Sequence, residues 1–297
     1  MSRPAVSVVM PALDARQTIG EAIASVLVQT FEDFEFVVAD DGSTDGTLDV
    51  VAAISDPRVR VLDRPKGAPA GPAAARNRAV RETSADLLAW IDADDVWAPD
   101  KLARQLQALE SNPSASVAYC WADYVDASGA FLFSDQRASF DGDVRRPLLL
   151  ENFIISGSNT VVRRDAFEEI GGFDESLHGV EDWDLHVRLA RRRRFTLVPE
   201  PLLQYRWWPG SQSGRTAMME RCWKRVAARE LSGAAESELR PRATALFYEY
   251  LAGCAIRDRR GLAGWTDALR YSLTAVRNDP ASAGSIARKA SRLLLAV

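Results

Sequence analysis

No run of apolar residues in this 297-residue chain approaches the roughly 18 that a membrane-spanning helix requires, so a spanning protein of that kind is set aside. Cysteine is scarce: Cys120, Cys222 and Cys254 are odd in number and far apart. They fit neither a disulfide framework nor a zinc site, and read as reduced, packed thiols of a cytosolic protein. A signal peptide is not expected, because the apolar stretch Val6–Met10 is short and stops at Pro11. Internal repeats and low-complexity segments are missing. So is a Gly/Arg/Lys-rich phosphate loop after the first apolar stretch, where the chain reads Pro11-Ala12-Leu13-Asp14.

What remains is ordinary globular material, 47% hydrophobic and 26% charged, enough for one large domain or a domain and a half. The net charge of -4 hides an asymmetry. Residues 1–215 carry 23 Lys+Arg against 33 Asp+Glu, and residues 216–297 carry 14 against 8. An acidic body with a basic tail suggests a separate task for the tail. The tail has no aromatic-studded basic groove, so nucleic acid is not an expected partner. Near its end, Arg288, Lys289 and Arg292 alternate with Ile286, Leu293, Leu294 and Leu295, a pattern for a basic amphipathic helix. Such a helix suits an anionic membrane surface, its own domain or a second subunit.

The most informative stretch is Leu87-Leu88-Ala89-Trp90-Ile91-Asp92-Ala93-Asp94-Asp95, an apolar strand ending in three carboxylates within four positions. Acids so placed repel one another and need a countercharge. A divalent cation supplies it, and oxygen donors favour a hard ion such as Mg2+ or Mn2+. The competing reading is a polar turn capping a helix that Pro99 opens and that runs through Lys101 to Leu109, although one Asp would suffice for a cap.

Along the chain, strands are expected at Ala5–Met10, Phe34–Ala39, Val59–Leu62 and Leu87–Ile91. Helices alternate with them, at about Thr18–Gln29, Thr47–Ile54 (capped by Ser43 or Thr44) and around Ala75-Arg76-Asn77. Strand alternating with helix predicts an α/β fold with a mostly parallel sheet. Ligands of such sheets sit beyond the carboxyl ends of the strands, where both Asp40-Asp41 and Asp92–Asp95 fall. The pattern then becomes mixed: a strand at Ser116–Trp121, a hairpin over Asp123–Phe133 turning at Ala127-Ser128-Gly129, a short helix at Pro147–Asn152 and a strand at Ser158–Arg163. Asp165 is expected to cap a turn of helix, and Asp182 to precede a helix over Trp183–Arg192. Tail helices are predicted at about 216–232, 241–257, 262–277 and 281–296.

The order of motifs resembles the family-two glycosyltransferases, whose nucleotide-sugar-binding fold is called GT-A. The matching segments are Val6-Ser7-Val8-Val9-Met10-Pro11, Gln29-Thr30-Phe31, Val38-Ala39-Asp40-Asp41-Gly42-Ser43-Thr44-Asp45, Ala74-Ala75-Arg76-Asn77, Ile91-Asp92-Ala93-Asp94-Asp95, Gly171-Gly172-Phe173-Asp174 and Glu181-Asp182-Trp183-Asp184-Leu185. The resemblance covers residues 4–214 and implies a GT-A catalytic domain over residues 1–215 with a helical extension over 216–297.

It implies roles as well. Asp41, with Asp40 and Pro11 beside it, resembles the contact to the nucleotide base, and a carboxylate suits the imide N–H of uracil or thymine. Asp92 and Asp94 resemble the Asp-x-Asp pair, the first facing ribose and the second the metal, a role Asp95 could share. Arg76 resembles a contact to diphosphate or base. Asp182 resembles the general base that inverting chemistry needs, with Glu181, Trp183 and His178 bordering the acceptor. The family has a His where this chain has Trp208, which cannot ligate a metal, and Leu13-Asp14 replaces a common Tyr-Asn.

The implied activity is an inverting transfer from a UDP- or dTDP-linked sugar to a glycan or lipid-linked acceptor. It would run with Mn2+ or Mg2+ in the cytoplasm or at the inner face of a membrane. Two other readings are a nucleotidyltransferase, which would need the missing phosphate loop, and a non-catalytic sugar-nucleotide-binding protein, which would be expected to have lost Asp94 or Asp182.

Overall fold

The computed structural model describes residues 3–208, 215–258 and 262–286. It divides into two compact units, one of residues 1–145 and 153–206, the other of residues 146–152 and 207–297. The second thus takes in a short segment that the sequence reading assigns to the first.

The first unit opens with β1 (Val6–Ala12), α1 (Ile19–Leu27), β2 (Phe34–Asp40), α2 (Thr47–Ala52), β3 (Val59–Leu62), α3 (Pro72–Arg81) and β4 (Leu87–Trp90). It continues through β5 (Val96–Trp97), α4 (Lys101–Ser111), β6 (Ala115–Val125) and β7 (Phe131–Ser134); after α5 (Arg145–Leu150), which belongs to the second unit from residue 146 on, it resumes with β8 (Val161–Arg163), α6 (Arg164–Glu169), α7 (Glu181–Leu189) and β9 (Arg194–Arg206). The sheet runs β3-β2-β1-β4-β8-β6-β9-β5, with β7 added to β6. Strands β3, β2, β1 and β4 are mutually parallel, β8 is antiparallel to both β4 and β6, and β6 and β9 are again parallel.

Both faces of β1 are buried, which is why Val6-Ser7-Val8-Val9-Met10 is apolar at every position but Ser7. Val6, Val8 and Met10 join Ile19, Ile23 and Val26 of α1 and Leu102, Leu106 and Leu109 of α4 in one core. Elsewhere in the unit Trp90 packs on Phe167 and Phe173, with ring centroids 5.5 and 5.4 Å away. Burying such rings contributes about 2 kcal/mol each. Pro11 is tolerated in a central strand because β4 pairs with β1 only as far as Val9, and the missing N–H lies beyond that point.

Several boundaries differ from the sequence reading. Helix α1 stops at Leu27, and Gln29 leaves it to accept from the Leu102 N–H at 2.9 Å and donate to the Ala98 carbonyl at 2.7 Å. Pro99 precedes α4 by two residues, and the cap position is Asp100. Before α2 the cap position is Gly46, in a left-handed conformation; Asp45, not Ser43 or Thr44, accepts from the Thr47 N–H at 2.9 Å. Residue 163, not Asp165, precedes α6. Helix α7 starts at Glu181, so Asp182 lies inside its first turn. Strands β5 and β9 were not anticipated.

The second unit contains α8 (Thr216–Glu230), α9 (Ala234–Ser237), α10 (Arg240–Asp258) and α11 (Leu262–Asn278). Trp223 stacks on Phe247 at 4.5 Å, and the Arg257 guanidinium lies over Trp207 at 4.6 Å. Most of the expected helix over 281–296, with Arg288, Lys289 and Arg292, lies outside the described residues. Cys120, Cys222 and Cys254 are buried free thiols, as the sequence suggests. No helix among the described residues is long and apolar enough to cross a membrane.

Candidate active site

The carboxyl ends of β1, β2 and β4 meet because parallel register places Ala12 beside Asp40 and Val9 beside Trp90. Asp40 shapes its own turn, its carboxylate accepting from the N–H groups of Gly42 at 2.8 Å and Ser43 at 3.1 Å. Asp14, at φ 49°, stitches β1 to the same turn by accepting from the Thr44 N–H at 2.8 Å. Asp41 is buried. Its Oδ2 accepts from the Gly71 N–H at 2.7 Å, while Oδ1 has no hydrogen-bond partner. Arg64 and Arg78 flank that carboxylate at 3.8 and 3.9 Å.

Gly71 is required at the start of α3. Its φ is +104°, and a Cβ there would meet His178 Cε1 at 2.9 Å. His178 therefore lies against the loop that binds Asp41.

The three acids after β4 are held differently from one another. Asp95 is 1% exposed. Its Oδ1 accepts from the Arg206 N–H at 3.1 Å and its Oδ2 from Ser156 Oγ at 3.3 Å. Burial, with Asp94 and Asp92 adding their negative charge, holds its carboxyl well above the usual carboxylate range. Asp95, which the sequence offers beside Asp94 for a metal, is thus turned into the protein. Asp94 is half-buried, and its carbonyl accepts from Arg206 Nε at 2.8 Å. The Asp92 N–H donates to Ser158 Oγ at 2.9 Å, and its carboxylate pairs with Arg76.

Arg76 is the junction of the site. It is 3% exposed and also donates to Glu181 Oε1 at 3.3 Å, with the Phe173 ring 5.3 Å away. Burial opposes its charge, but Asp92, Glu181 and Asp182 outweigh that and raise its pKa above the ordinary arginine value. Alanines 73, 74, 75 and 79 are buried around it on α3. Gly157, in the 3-10 turn Gly157–Asn159, packs at the same junction; a Cβ there would lie 3.7 Å from both Asp182 Cβ and Arg76 Nη2.

Asp182 is half-buried in the first turn of α7, and its Oδ1 accepts from the Trp183 N–H at 2.6 Å. Burial first and the neighbouring Glu181 charge second push its pKa up to about 7, against the Trp183 N–H and Arg76, which lower it. Trp183 is buried. Asp184 is fully buried and accepts from Arg188 Nε at 2.7 Å, so it is committed to its own helix.

Sequence reasoning missed four contributors. Arg206 ties the acidic turn to the rest of the unit: besides Asp94 and Asp95, it donates to the carbonyl of Ala127 at 2.9 Å and to Glu21 Oε2 at 2.6 Å. Ser156 and Ser158 anchor Asp95 and Asp92, with no local signal to reveal it. His186, one turn beyond Asp182, is fully buried with neither ring nitrogen hydrogen-bonded; burial and the Arg76 charge push its pKa down to about 3. Its i, i+4 spacing from Asp182 was the available clue.

Among the described residues, no group of three His, Cys, Asp or Glu side chains forms a ready metal cage. The donors at the rim are all oxygen. Sites of that kind take a hard cation through one or two carboxylates, with phosphate oxygens and water completing the shell.

The profile of the family described as "Glycosyltransferase like family 2" matches residues 7–224. A Rickettsia prowazekii protein named uncharacterized glycosyltransferase RP339 is 29% identical over 208 residues, covering 68% of this chain and 64% of the relative. Escherichia coli WfgD, a UDP-Glc:alpha-D-GlcNAc-diphosphoundecaprenol beta-1,3-glucosyltransferase, is 36% identical over 121 residues, 40% of this chain and 45% of WfgD. The chain thus spans less than two thirds of either relative. Among solved structures, S. aureus TarS 1-349 in complex with UDP-GlcNAc superposes with TM-score 0.64 at 18% identity, covering 93% of this chain and 83% of that one. The mannosyltransferase PcManGT of Pyrobaculum calidifontis, in complex with GDP-Man and Mn2+, gives 0.62 at 20% identity, covering 100% and 86%. With its α/β sheet and motif order, the chain belongs to the glycosyltransferase family 2-like proteins and has the GT-A fold.

Proposed function

We propose that this chain transfers a sugar from a UDP- or dTDP-linked donor to an acceptor hydroxyl, with inversion at the anomeric carbon. The observation that carries the reading is the Arg76 bridge. One buried guanidinium joins Asp92, just past β4, to Glu181, the neighbour of Asp182. Donor-side and acceptor-side carboxylates thereby share one countercharge.

Asp182 is the base. An acceptor alcohol keeps its proton at neutral pH until attack is under way, and a carboxyl poised at about 7 both takes and releases that proton. The acceptor oxygen bonds to the anomeric carbon as the bond from that carbon to the diphosphate oxygen breaks. The bonding electrons leave with the nucleoside diphosphate, and the proton passes to Asp182. Asp41 Oδ1, buried without a hydrogen-bond partner, receives the imide N–H of the pyrimidine. Asp92 faces the ribose, while Asp40 and Pro11 shape the turn beneath it.

Asp94 would hold a divalent cation, with Asp95 as its inner support. When bound, that cation offsets the charge of the departing diphosphate. The Mn2+ in the PcManGT complex and the UDP-GlcNAc in the TarS complex support the assignment. The diphosphoundecaprenol-linked acceptor in WfgD's name supports a glycan or lipid-linked acceptor here.

The test is a panel of nucleotide sugars assayed for hydrolysis and for thermal stabilisation of the full chain, with Mn2+ or with chelator. A UDP or dTDP sugar should raise the melting temperature more with Mn2+. Failure of every nucleotide sugar to stabilise the protein would overturn the reading.

A further inference from the structure

Helix α11 carries apolar side chains on two faces, and only one is covered. Ala268, Tyr271 and Ala275 are buried within the helical unit. Trp265, Leu269 and Leu273 are 48%, 61% and 50% exposed, and they recur at i, i+4 and i+8. At 3.6 residues per turn they fall within about 40° of one line along the helix, together with the partly buried Val276. Scattered surface leucines need no explanation, but an aligned tryptophan and two leucines on one helix do.

Charge distinguishes the possible occupants. Arg277 and Arg270 lie on one shoulder of the stripe, about 80° and 100° from Leu269. The one acid of the helix, Asp267, projects about 160° away, on the far side. Arg270 keeps about half of its side chain in solvent even while paired with Glu220 at 3.4 Å and Asp267 at 3.9 Å. Residues 216–297 hold 14 Lys+Arg against 8 Asp+Glu. A second copy would bring the same excess of positive charge to the contact, whereas an anionic lipid surface complements it. The composition of the stripe agrees. Tryptophan favours the headgroup boundary, leucines enter the acyl region, and arginines reach back to phosphates. No described helix crosses a membrane, so the geometry describes a helix lying on the surface.

We propose that α11 docks on a bilayer containing anionic lipid through Trp265, Leu269 and Leu273, with Arg270 and Arg277 at the headgroups. This does not depend on the glycosyltransfer reading. The test is co-flotation of the full chain with phosphatidylcholine vesicles containing or lacking phosphatidylglycerol, at low and high salt. Binding is expected only with phosphatidylglycerol and should weaken as salt rises. Leu269→Glu with Leu273→Glu should reduce partitioning at least tenfold, since each change removes an inserted side chain and adds a like charge to the lipid's.

Trp265→Phe guards against misfolding of the double variant. It keeps the apolar surface, so it should still float, but with less quenching of tryptophan fluorescence by brominated lipid. Light scattering supplies the opposing outcome. If the chain is a dimer that Leu269→Glu dissociates, and does not float, the stripe is a subunit contact and the proposal fails. Flotation unchanged in the double variant, or equal on neutral vesicles, would also overturn it.

Discussion

Arg76 Nη1 lies 3.3 Å from Glu181 Oε1, although 105 residues separate the two in sequence. The guanidinium is almost wholly out of water and has Asp92 on its other side. Arg76→Met would leave these carboxylates without their countercharge. It should lower stability by about 3 kcal/mol, the scale for breaking a buried pair, measured by urea unfolding. Arg76 lowers the Asp182 pKa, so its loss should also move the acid limb of the rate profile to higher pH. An unchanged limb in folded Arg76→Met would mean that this charge does not reach the base.

Asp182→Asn keeps size but cannot accept a proton. Transfer should fall by roughly 100- to 10,000-fold, while UDP affinity measured by calorimetry stays close to that of the unmodified chain. In the unmodified enzyme kcat/KM should decline below pH about 7, as the raised Asp182 pKa takes the base out of its ionised form. Near-normal transfer by the variant would move the base to Glu181, because Asp184 is buried against Arg188.

Asp94 and Asp95 should behave differently. Asp94→Asn is expected to remove the extra UDP affinity conferred by Mn2+. Asp95→Asn should keep that increment and show its effect in melting temperature, because its oxygens face Arg206 and Ser156. Calorimetry with and without chelator separates the two. Loss of the Mn2+ increment in Asp95→Asn alone would reverse the assignment.

His186 gives a stability signature. Its folded pKa of about 3 lies below the unfolded value, so the unfolded chain takes up a proton first as the pH falls. Stability is therefore lost on acidification below pH about 6.5, by about 1.4 kcal/mol per unit. Asp182 works in the opposite sense between pH about 4 and 7, because its folded pKa is raised. The His186 effect must therefore be read as a difference. His186→Leu should gain about 2 kcal/mol relative to the unmodified chain between pH 6.5 and 5, measured by denaturant midpoints. A constant difference across that range would show that His186 is not held neutral.

Much of this was legible because the informative signals are local. Apolar runs ending in acids located β2 and β4, and Ala127-Ser128-Gly129 located the hairpin, where Asp126 accepts from the Ser128 N–H at 2.8 Å. Strand β9 escaped notice because Pro199 and Pro201 interrupt its apolar pattern. The structure absorbs them with register shifts against β6 around Trp121. The sequence also marked Asp94 and Asp95 alike, since only the distant Arg206 and Ser156 distinguish them. No local pattern signals that the His178 ring lies against Gly71.

The serine contacts to the acidic turn bear on the kinetics of ligand capture. Ser158 fixes the Asp92 amide and Ser156 fixes the Asp95 carboxylate, with Trp97 Nε1 donating to the Ser158 carbonyl at 2.9 Å behind them. The turn gives up its conformational freedom during folding, before any ligand arrives. Under the proposed role of this turn, an arriving nucleotide would have no loop to order there, and little of its binding free energy would be spent on immobilising that backbone. Encounter at residues 92–95 would then resemble docking onto a preset template, with association limited by diffusion and orientation of the ligand.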